Sequence, residues 1–252
     1  DFGWIFMHCS GNFFMLINNK INLLTIFNHF PMYLVKTPQF IQKLFPNFIW
    51  KVPTTQKELY LTFDDGPTAE MTPWILEQLA AYNAKGTFFC VGQEIEKFPT
   101  HFQAIIDAGH TVGNHTFTHP NGWGAENISY FHDVRHCARL VNSTLFRPPY
   151  GKLMPKQVQF LERHYEIVMW DVMSGDFDEN ITKEECLDNV INKAKEGSII
   201  VFHDNLKSRE KLEYVLPKVL KHYAELGYTF KAVQASEDAD EKLDKDSSAV
   251  AA

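Results

Sequence analysis

Cysteine is scarce: the 252 residues hold four, Cys9, Cys90, Cys137 and Cys186, with no Cys-x-x-Cys pair. A disulfide framework uses more cysteines in a shorter chain, so the four read as free thiols. Such a set is compatible with a reducing compartment without demanding one. Basic excess is lacking too. The 24 Lys and Arg stand against 31 Asp and Glu, a formal charge of −7, which excludes the basic footprint of a nucleic-acid-binding protein. Long apolar runs are missing: Phe13–Ile17 and Ile21–Phe27 are split by Asn18-Asn19-Lys20, and neither reaches the roughly 18 residues of a membrane span. No stable membrane insertion is expected. Neither GxGxxG nor GxxxxGK[ST] occurs, so nothing supports a nucleotide-binding layer. What is there is the balance of a globular protein, 45% hydrophobic and 22% charged, which rules out bulk disorder and fibrous repeats.

The two ends differ from the middle. Residues 1–31 are rich in Phe, Ile and Asn with no clear period. They also lack the ordered basic region, apolar run and small-residue cleavage site of a signal peptide. They are expected to be a non-native or unstructured extension, with Met32 a sensible start and a degenerate membrane anchor the rival reading. Localisation is left open between cytoplasm and cell envelope. Residues 32–56 form a lead-in, 57–235 the domain, and 236–252 an acidic tail with six acids against two lysines, for which disorder is the default.

Between the ends the pattern alternates. Apolar, β-branched and aromatic runs at Glu58–Phe63, Gly86–Val91, Thr111-Val112, Leu145-Phe146, Tyr165–Trp170, Ser198–Phe202 and Tyr228–Val233 predict about seven strands. Helical spacing follows each but the last. Thr72-Pro73 looks like a cap and first helical residue for Ile75, Leu76, Leu79 and Tyr82. Phe102, Ile105 and Ile106 make a stripe that Gly109 stops. Helices are expected near 127–141 and 154–164. Thr182 and Glu185 form a capping box whose helix ends at Gly197, and a stretch from Arg209 to Leu226 is expected to break at Pro217. Strand–helix alternation implies a parallel sheet. The span from Gln56 to Ala235 falls short of the about 250 residues of an eight-fold barrel, so an incomplete or irregular barrel is predicted.

Reactive residues fall just beyond strand ends, where parallel α/β folds build their sites. Asp64-Asp65-Gly66-Pro67 follows the first strand, His115 and His119 the third, and Arg147-Pro148-Pro149-Tyr150-Gly151 the fourth. Asp171 and Asp176 follow the fifth, and His203-Asp204 the sixth. Each group alone has a bland reading: a turn, surface histidines, a rigid connector, a local pair. Five such placements together point to function. Two histidines and one carboxylate make a three-ligand site with open positions. Of two consecutive aspartates, one can face the metal while its neighbour reaches a water whose pKa the ion has lowered from 15.7 towards roughly 7. That neighbour can take the proton. Arg147 would hold it ionised, and His203 is the candidate acid for the leaving group. A nearby carboxylate, Asp176 or Asp171, would keep that histidine charged.

These segments resemble the five ordered motifs of the polysaccharide deacetylase family, the NodB homology domain or carbohydrate esterase family 4. The motifs are Thr62–Pro67, His115-Thr116-Phe117-Thr118-His119, Arg147–Gly151, Asp171–Phe177 and Val201–Asp204, and the resemblance covers about Lys57 to Val233. It implies a distorted (β/α)7 barrel of the α/β class and removal of acetyl groups from N-acetylated sugars. It implies a divalent ion, zinc first and cobalt or another as alternatives. By this resemblance Asp64 is the general base, and Asp65, His115 and His119 are the metal ligands. Arg147 supports the base, the Tyr150 backbone N–H helps hold the oxyanion, His203 is the acid and Asp176 its partner. Two positions depart from the family pattern: Asp176-Phe177 stands for Asp-Trp, and Val201-Phe202-His203 for Leu-x-His. An O-acetyl esterase, a non-catalytic glycan-binding module and a non-haem iron oxygenase are the competing readings. Peptidoglycan, chitin oligomers, xylan and cell-surface polysaccharide all fit as substrate, and oligomeric state is not legible. Trp123, in the Asn121–Gly124 loop, is equally consistent with stacking on a sugar and with local packing.

Overall fold

A computed structural model of the chain describes residues 33–236. The expectations for residues 1–31, for Cys9 and for the tail beyond Ser236 lie outside the described residues. Among the described residues eight strands form: β1 (Glu58–Asp64), β2 (Thr87–Cys90), β3 (Thr111–Asn114), β4 (Leu145–Phe146), β5 (Glu166–Ile167), β6 (Val172–Met173), β7 (Ile199–His203) and β8 (Thr229–Phe230). Their order is β5-β4-β3-β2-β1-β7-β6, with β8 on β1, and every pairing is parallel. The helices are α1 (Gln39–Leu44), α2 (Met71–Ala81), α3 (Gly92–Lys97), α4 (Pro99–Asp107), α5 (Asn127–Ala138), α6 (Pro155–Leu161), α7 (Lys183–Ile191) and α8 (Arg209–Glu225). The sheet is the curled, incomplete barrel that the alternation predicts.

The barrel is open between β5 and β6, which pair with other strands and not with each other. Unpaired edge groups need partners, and the lead-in supplies them. Thr37 N donates to Asp171 O at 3.0 Å and Met173 N to Val35 O at 2.8 Å. Ile49 N donates to Ile167 O at 2.9 Å, and Met169 N returns the bond to Ile49 O at 2.8 Å. The segment before β1 thus closes the seam that the strands leave.

Strand side chains alternate between two faces. On β1, Leu59, Leu61 and Phe63 enter the main core beneath the helices with Phe88, Ile200 and Phe202. Tyr60 belongs to a second cluster with Phe89, Leu145, Val168 and Ile199. Thr62 and Asp64 continue along the same face as Tyr60, so the period of two that makes β1 a strand also turns Asp64 towards the barrel interior.

Local chemistry overrides several sequence readings. Thr72 does not cap α2. It lies inside the helix, which starts at Met71, and its hydroxyl bonds Asp204. Pro217 does not break α8, which runs unbroken from Arg209 to Glu225 with Leu216, Val219 and Leu220 buried behind it; core burial offsets the lost backbone bond. The helix after Thr182 stops at Ile191, short of Gly197. Ile106 is exposed while Phe102 and Ile105 are buried. The expected Tyr165–Trp170 strand is two residues long, and β6 follows it with no intervening helix. Cys90, Cys137 and Cys186 are buried and unpaired, as free thiols.

The capping box at α7 forms: Thr182 Oγ1 accepts from Glu185 N at 3.1 Å and Glu185 Oε2 from Thr182 N at 2.8 Å. Thr182→Ala is expected to cost about 1 kcal/mol, read as a lower urea midpoint at an unchanged slope. No loss of midpoint would show that the tertiary contacts of α7 hold its end without the cap.

Candidate active site

The four parallel strands β1, β3, β4 and β7 all end at one edge of the barrel, and their last or next residues meet there. β1 ends on Asp64, β3 is followed by His115, β4 by Arg147, and β7 ends on His203. Asp64 and His203 are direct register partners. Consecutive residues of a strand point to opposite faces, so Asp65 needs a change of backbone to join its neighbour. It takes one, with φ 87°. Thr116, His119 and Tyr150 also have positive φ, at 67°, 58° and 59°. Non-glycine residues held in this region cost free energy and concentrate where function over-determines them. Four of the five such residues described are in the predicted motifs.

Asp65, His115 and His119 each present a donor atom, all within 4.8 Å of one another. Asp65 Oδ1 is 3.6 Å from His115 Nε2 and 3.2 Å from His119 Nε2. Tetrahedral ligands at about 2.0–2.1 Å from zinc stand roughly 3.3–3.4 Å apart, so these spacings fit one ion. Protonation agrees. His115 Nδ1 is 2.7 Å from Arg147 O, and a carbonyl can only accept, so Nδ1 carries the hydrogen and Nε2 a lone pair. Burial lowers the His115 pKa to about 4 despite the carboxylates nearby, so the imidazole is neutral. A lone pair then faces a carboxylate oxygen, an arrangement a cation resolves. Burial raises the Asp65 carboxyl, but the hydrogen bond from His119 and the field of His203 outweigh it and hold the group well below the usual carboxylate range.

Asp64 is buried against Arg147, itself without exposed surface. Arg147 Nη1 donates to Asp64 Oδ1 and to Thr62 Oγ1, both at 2.7 Å. Its Nε donates to Val168 O at 3.1 Å and Nη2 to Met169 O at 2.9 Å. The guanidinium also lies over the Phe89 ring, 4.1 Å from its centroid. Burial works against its charge and the Asp64 carboxylate supports it. A guanidinium with this many partners is a fixed strut.

His203 Nδ1 donates to Asp176 Oδ1 at 2.8 Å, and Asp176 Oδ2 accepts from the His203 backbone N at 2.7 Å. Ser174 Oγ donates to the same carboxylate at 3.0 Å. Burial would depress the imidazolium, but the charge and hydrogen bond of Asp176, then Asp65 and Asp64, raise its pKa to about 9. Asp171, the alternative partner, is held elsewhere. Its Oδ2 takes Lys36 and Ser198 and lies 3.5 Å from Lys51. Phe177 lies edge-on to His203 with ring centroids 5.0 Å apart, an apolar wall where the family pattern has Trp. Val201 is buried within β7.

Some participants were not singled out from the sequence. Asn205 Nδ2 donates to Asp65 Oδ2 at 2.7 Å, leaving Oδ1 for the histidines; its place directly after His203-Asp204 was the available signal. Asp133, on α5, accepts from Phe117 N at 2.7 Å and Thr118 N at 2.9 Å and so shapes the loop between the two histidines. Nothing in one dimension marks it. Asp204 does not pair with His203 through its side chain. It is buried under the Asp-Asp-Gly turn, raised to about 7 by burial against the Thr72 hydroxyl bond. A Cβ on Gly66 would fall 1.9 Å from Asp204 Oδ2, so that turn requires glycine for close approach. The Tyr150 N–H has no acceptor among the described residues.

The family model for polysaccharide deacetylase matches residues 51–169. Two curated relatives from Bacillus cereus are named peptidoglycan-N-acetylglucosamine deacetylase. One is 35% identical over 60% of this chain, and the match spans 57% of that relative's length. The other is 30% identical over 73% of this chain and 90% of its own. A solved structure, the Bc1960 peptidoglycan N-acetylglucosamine deacetylase with a hydroxamate-type benzamide bound, superposes with a TM-score of 0.71 at 30% identity, covering 78% of this chain and 95% of that one. Motif order, barrel topology and these likenesses agree, and the chain belongs to the polysaccharide deacetylase family.

Proposed function

We propose that this chain is a divalent-metal-dependent deacetylase that hydrolyses the acetamide of N-acetylated sugars in peptidoglycan or a related polysaccharide. The observation that carries the reading is the pairing of Asp64 and His203. They are register partners, one tied to a buried guanidinium and the other to a buried carboxylate, beside a cluster of one carboxylate and two imidazoles. The names of the relatives support the substrate class.

An ion held by Asp65, His115 and His119 would supply Lewis acidity and lower the pKa of water. The remaining work belongs to the chain's own groups. Arg147 occupies Asp64 Oδ1, which leaves Oδ2 to take the proton from the attacking water. The Tyr150 N–H, with no acceptor among the described residues, donates to the acetyl oxygen as charge develops there. His203 Nδ1 is engaged by Asp176, so Nε2 delivers the proton to the departing amine. Its raised pKa keeps that proton in place at neutral pH.

Chelation is expected to lower acetate release from N-acetylated glycan oligomers by at least about a hundredfold, the loss typical of one oxyanion donor. Added zinc should restore it. Acetate release that persists in the demonstrably metal-free protein would end the metal-dependent reading. Release from O-acetylated xylan alone would end the N-deacetylase reading.

A further inference from the structure

The segment that carries Asp176 is held from two sides. On one side β6, only two residues long, pairs with β7. On the other it takes the lead-in, which runs antiparallel to it. Lys36 bridges Val172, Met173 N donates to Val35 O at 2.8 Å and Thr37 N to Asp171 O at 3.0 Å. The Thr37 hydroxyl adds a bond to Trp170 O at 2.8 Å, and Lys36 Nζ donates to Asp171 Oδ2 at 2.5 Å. Facing residues of an antiparallel pair advance in opposite directions. The register that sets Lys36 against Val172 and Val35 against Met173 therefore carries Tyr33 to Gly175.

The contacts at Gly175 agree. A Cβ there would lie 2.2 Å from Tyr33 Oη, and the backbone has φ 81°, so glycine is required twice over. The Tyr33 hydroxyl oxygen is shut off from solvent. Asp178 N donates to Gly175 O at 3.0 Å, closing a turn whose two central residues are Asp176 and Phe177. Phe177 stands between two rings: Tyr33 on one side and His203 on the other, each with its centroid 5.0 Å away. The residue before it, Asp176, is fully buried and holds His203 through Nδ1 and the backbone N. A line of contact thus runs from the lead-in through Tyr33 and Phe177 to the imidazole that serves as acid.

We propose that Tyr33 is a positioning residue: its ring braces the Gly175–Asp178 turn from behind and so sets Asp176 and Phe177 against His203. This deepens the deacetylase reading and rests on it for the reaction served. The lead-in is then a working part of the acid side of the site and not only a cover for the seam. Neither the metal cluster nor Asp64 depends on it, because those residues sit at the ends of other strands.

The test pairs a spectroscopic signature with turnover in the zinc-loaded full chain. At neutral pH the His203 Nδ1 proton should give a downfield, slowly exchanging resonance, identified by its loss in Asp176→Asn. Tyr33→Ala leaves a cavity behind Phe177. It should broaden or remove that resonance and lower kcat about ten- to hundredfold, the scale of a misplacement of about 1 Å, with zinc content unchanged. A residue that supports the acid acts after binding, so KM should move less than kcat. Tyr33→Phe keeps the ring and should retain both resonance and kcat. Measurements are made below each variant's melting transition, and Tyr33→Leu replaces Tyr33→Ala if the latter does not fold. A wild-type resonance and kcat in the folded alanine or leucine variant would overturn the proposal. So would a Tyr33→Phe protein as impaired as Tyr33→Ala. If the resonance disappears in Tyr33→Ala and survives in Tyr33→Phe while the wild type releases no acetate, the brace stands and the deacetylase reading falls.

Discussion

Asp64→Asn should reduce acetate release by about 10²–10⁴-fold, the contribution of a positioned general base, while bound zinc stays at one ion per chain. The asparagine is nearly the same size, and its amide oxygen can still accept from Arg147 Nη1, which keeps its bonds to Thr62, Val168 and Met169. The candidate metal cluster contains Asp65 and the two histidines and not Asp64, so ion content separates the base role from a ligand role. Breaking a buried pair by removing one partner costs about 3–5 kcal/mol. Here the amide compensates in part, and turnover should be read below the variant's own melting transition. A metal-loaded, folded Asp64→Asn protein keeping more than about a tenth of the activity would defeat the base assignment. Loss of zinc instead would make Asp64 a ligand.

The second large effect concerns pH. Activity that needs a protonated His203 falls as pH rises through its folded pKa, raised to about 9. A bound cation offsets part of the Asp65 field, so the alkaline limb of the metal-loaded protein lies at or below that value. Asp176→Asn removes the charge that most raises the histidine. Burial, which lowers it, is then opposed only by the fields of Asp65 and Asp64, and the limb should move to lower pH. Turnover on the alkaline side, at about pH 8 for example, should fall relative to wild type, with ion content unchanged. Stability follows the same linkage. The folded pKa lies above the unfolded one, so the Asp176–His203 contribution is fully present below pH 6.5 and is lost as pH rises through about 9. The stability gap between wild type and Asp176→Asn should therefore narrow across that window. An alkaline limb that stays in place in Asp176→Asn but moves in Asp171→Asn would transfer the role to Asp171. The hold of Lys36 and Ser198 on Asp171 argues against that result.

The site was legible because its parts sit at strand ends, and strand ends show in one dimension. β1 announces itself by ELYLTF, and the Asp-Asp that follows it lands at the open edge whatever the details of the barrel. The short strands were harder. β5 and β6 are two residues each, too brief for periodicity to register, and their hydrogen bonds go to the lead-in as much as to the sheet. Pro217 misled because intrinsic propensity is a weak prior once Leu216, Val219 and Leu220 are buried. Thr72 misled because a hydroxyl that can cap a helix can equally satisfy a buried carboxylate 132 residues away.

Chain chemistry alone gave the alternation of strands and helices, the parallel sheet, and Asp64, Asp65, His115, His119, Arg147 and His203, with Asp176 or Asp171, as candidates for catalysis and metal binding, while the Tyr150 backbone role came from the family resemblance. Those depend on side-chain type and local spacing. Only the tertiary structure decided which residues meet. It placed Asp176 and not Asp171 against His203, brought Asn205 to the second oxygen of Asp65, and closed the seam with residues of the lead-in. The physical reason is that these contacts join residues far apart in sequence, or neighbours turned together by backbone at positive φ, and no periodic pattern records either.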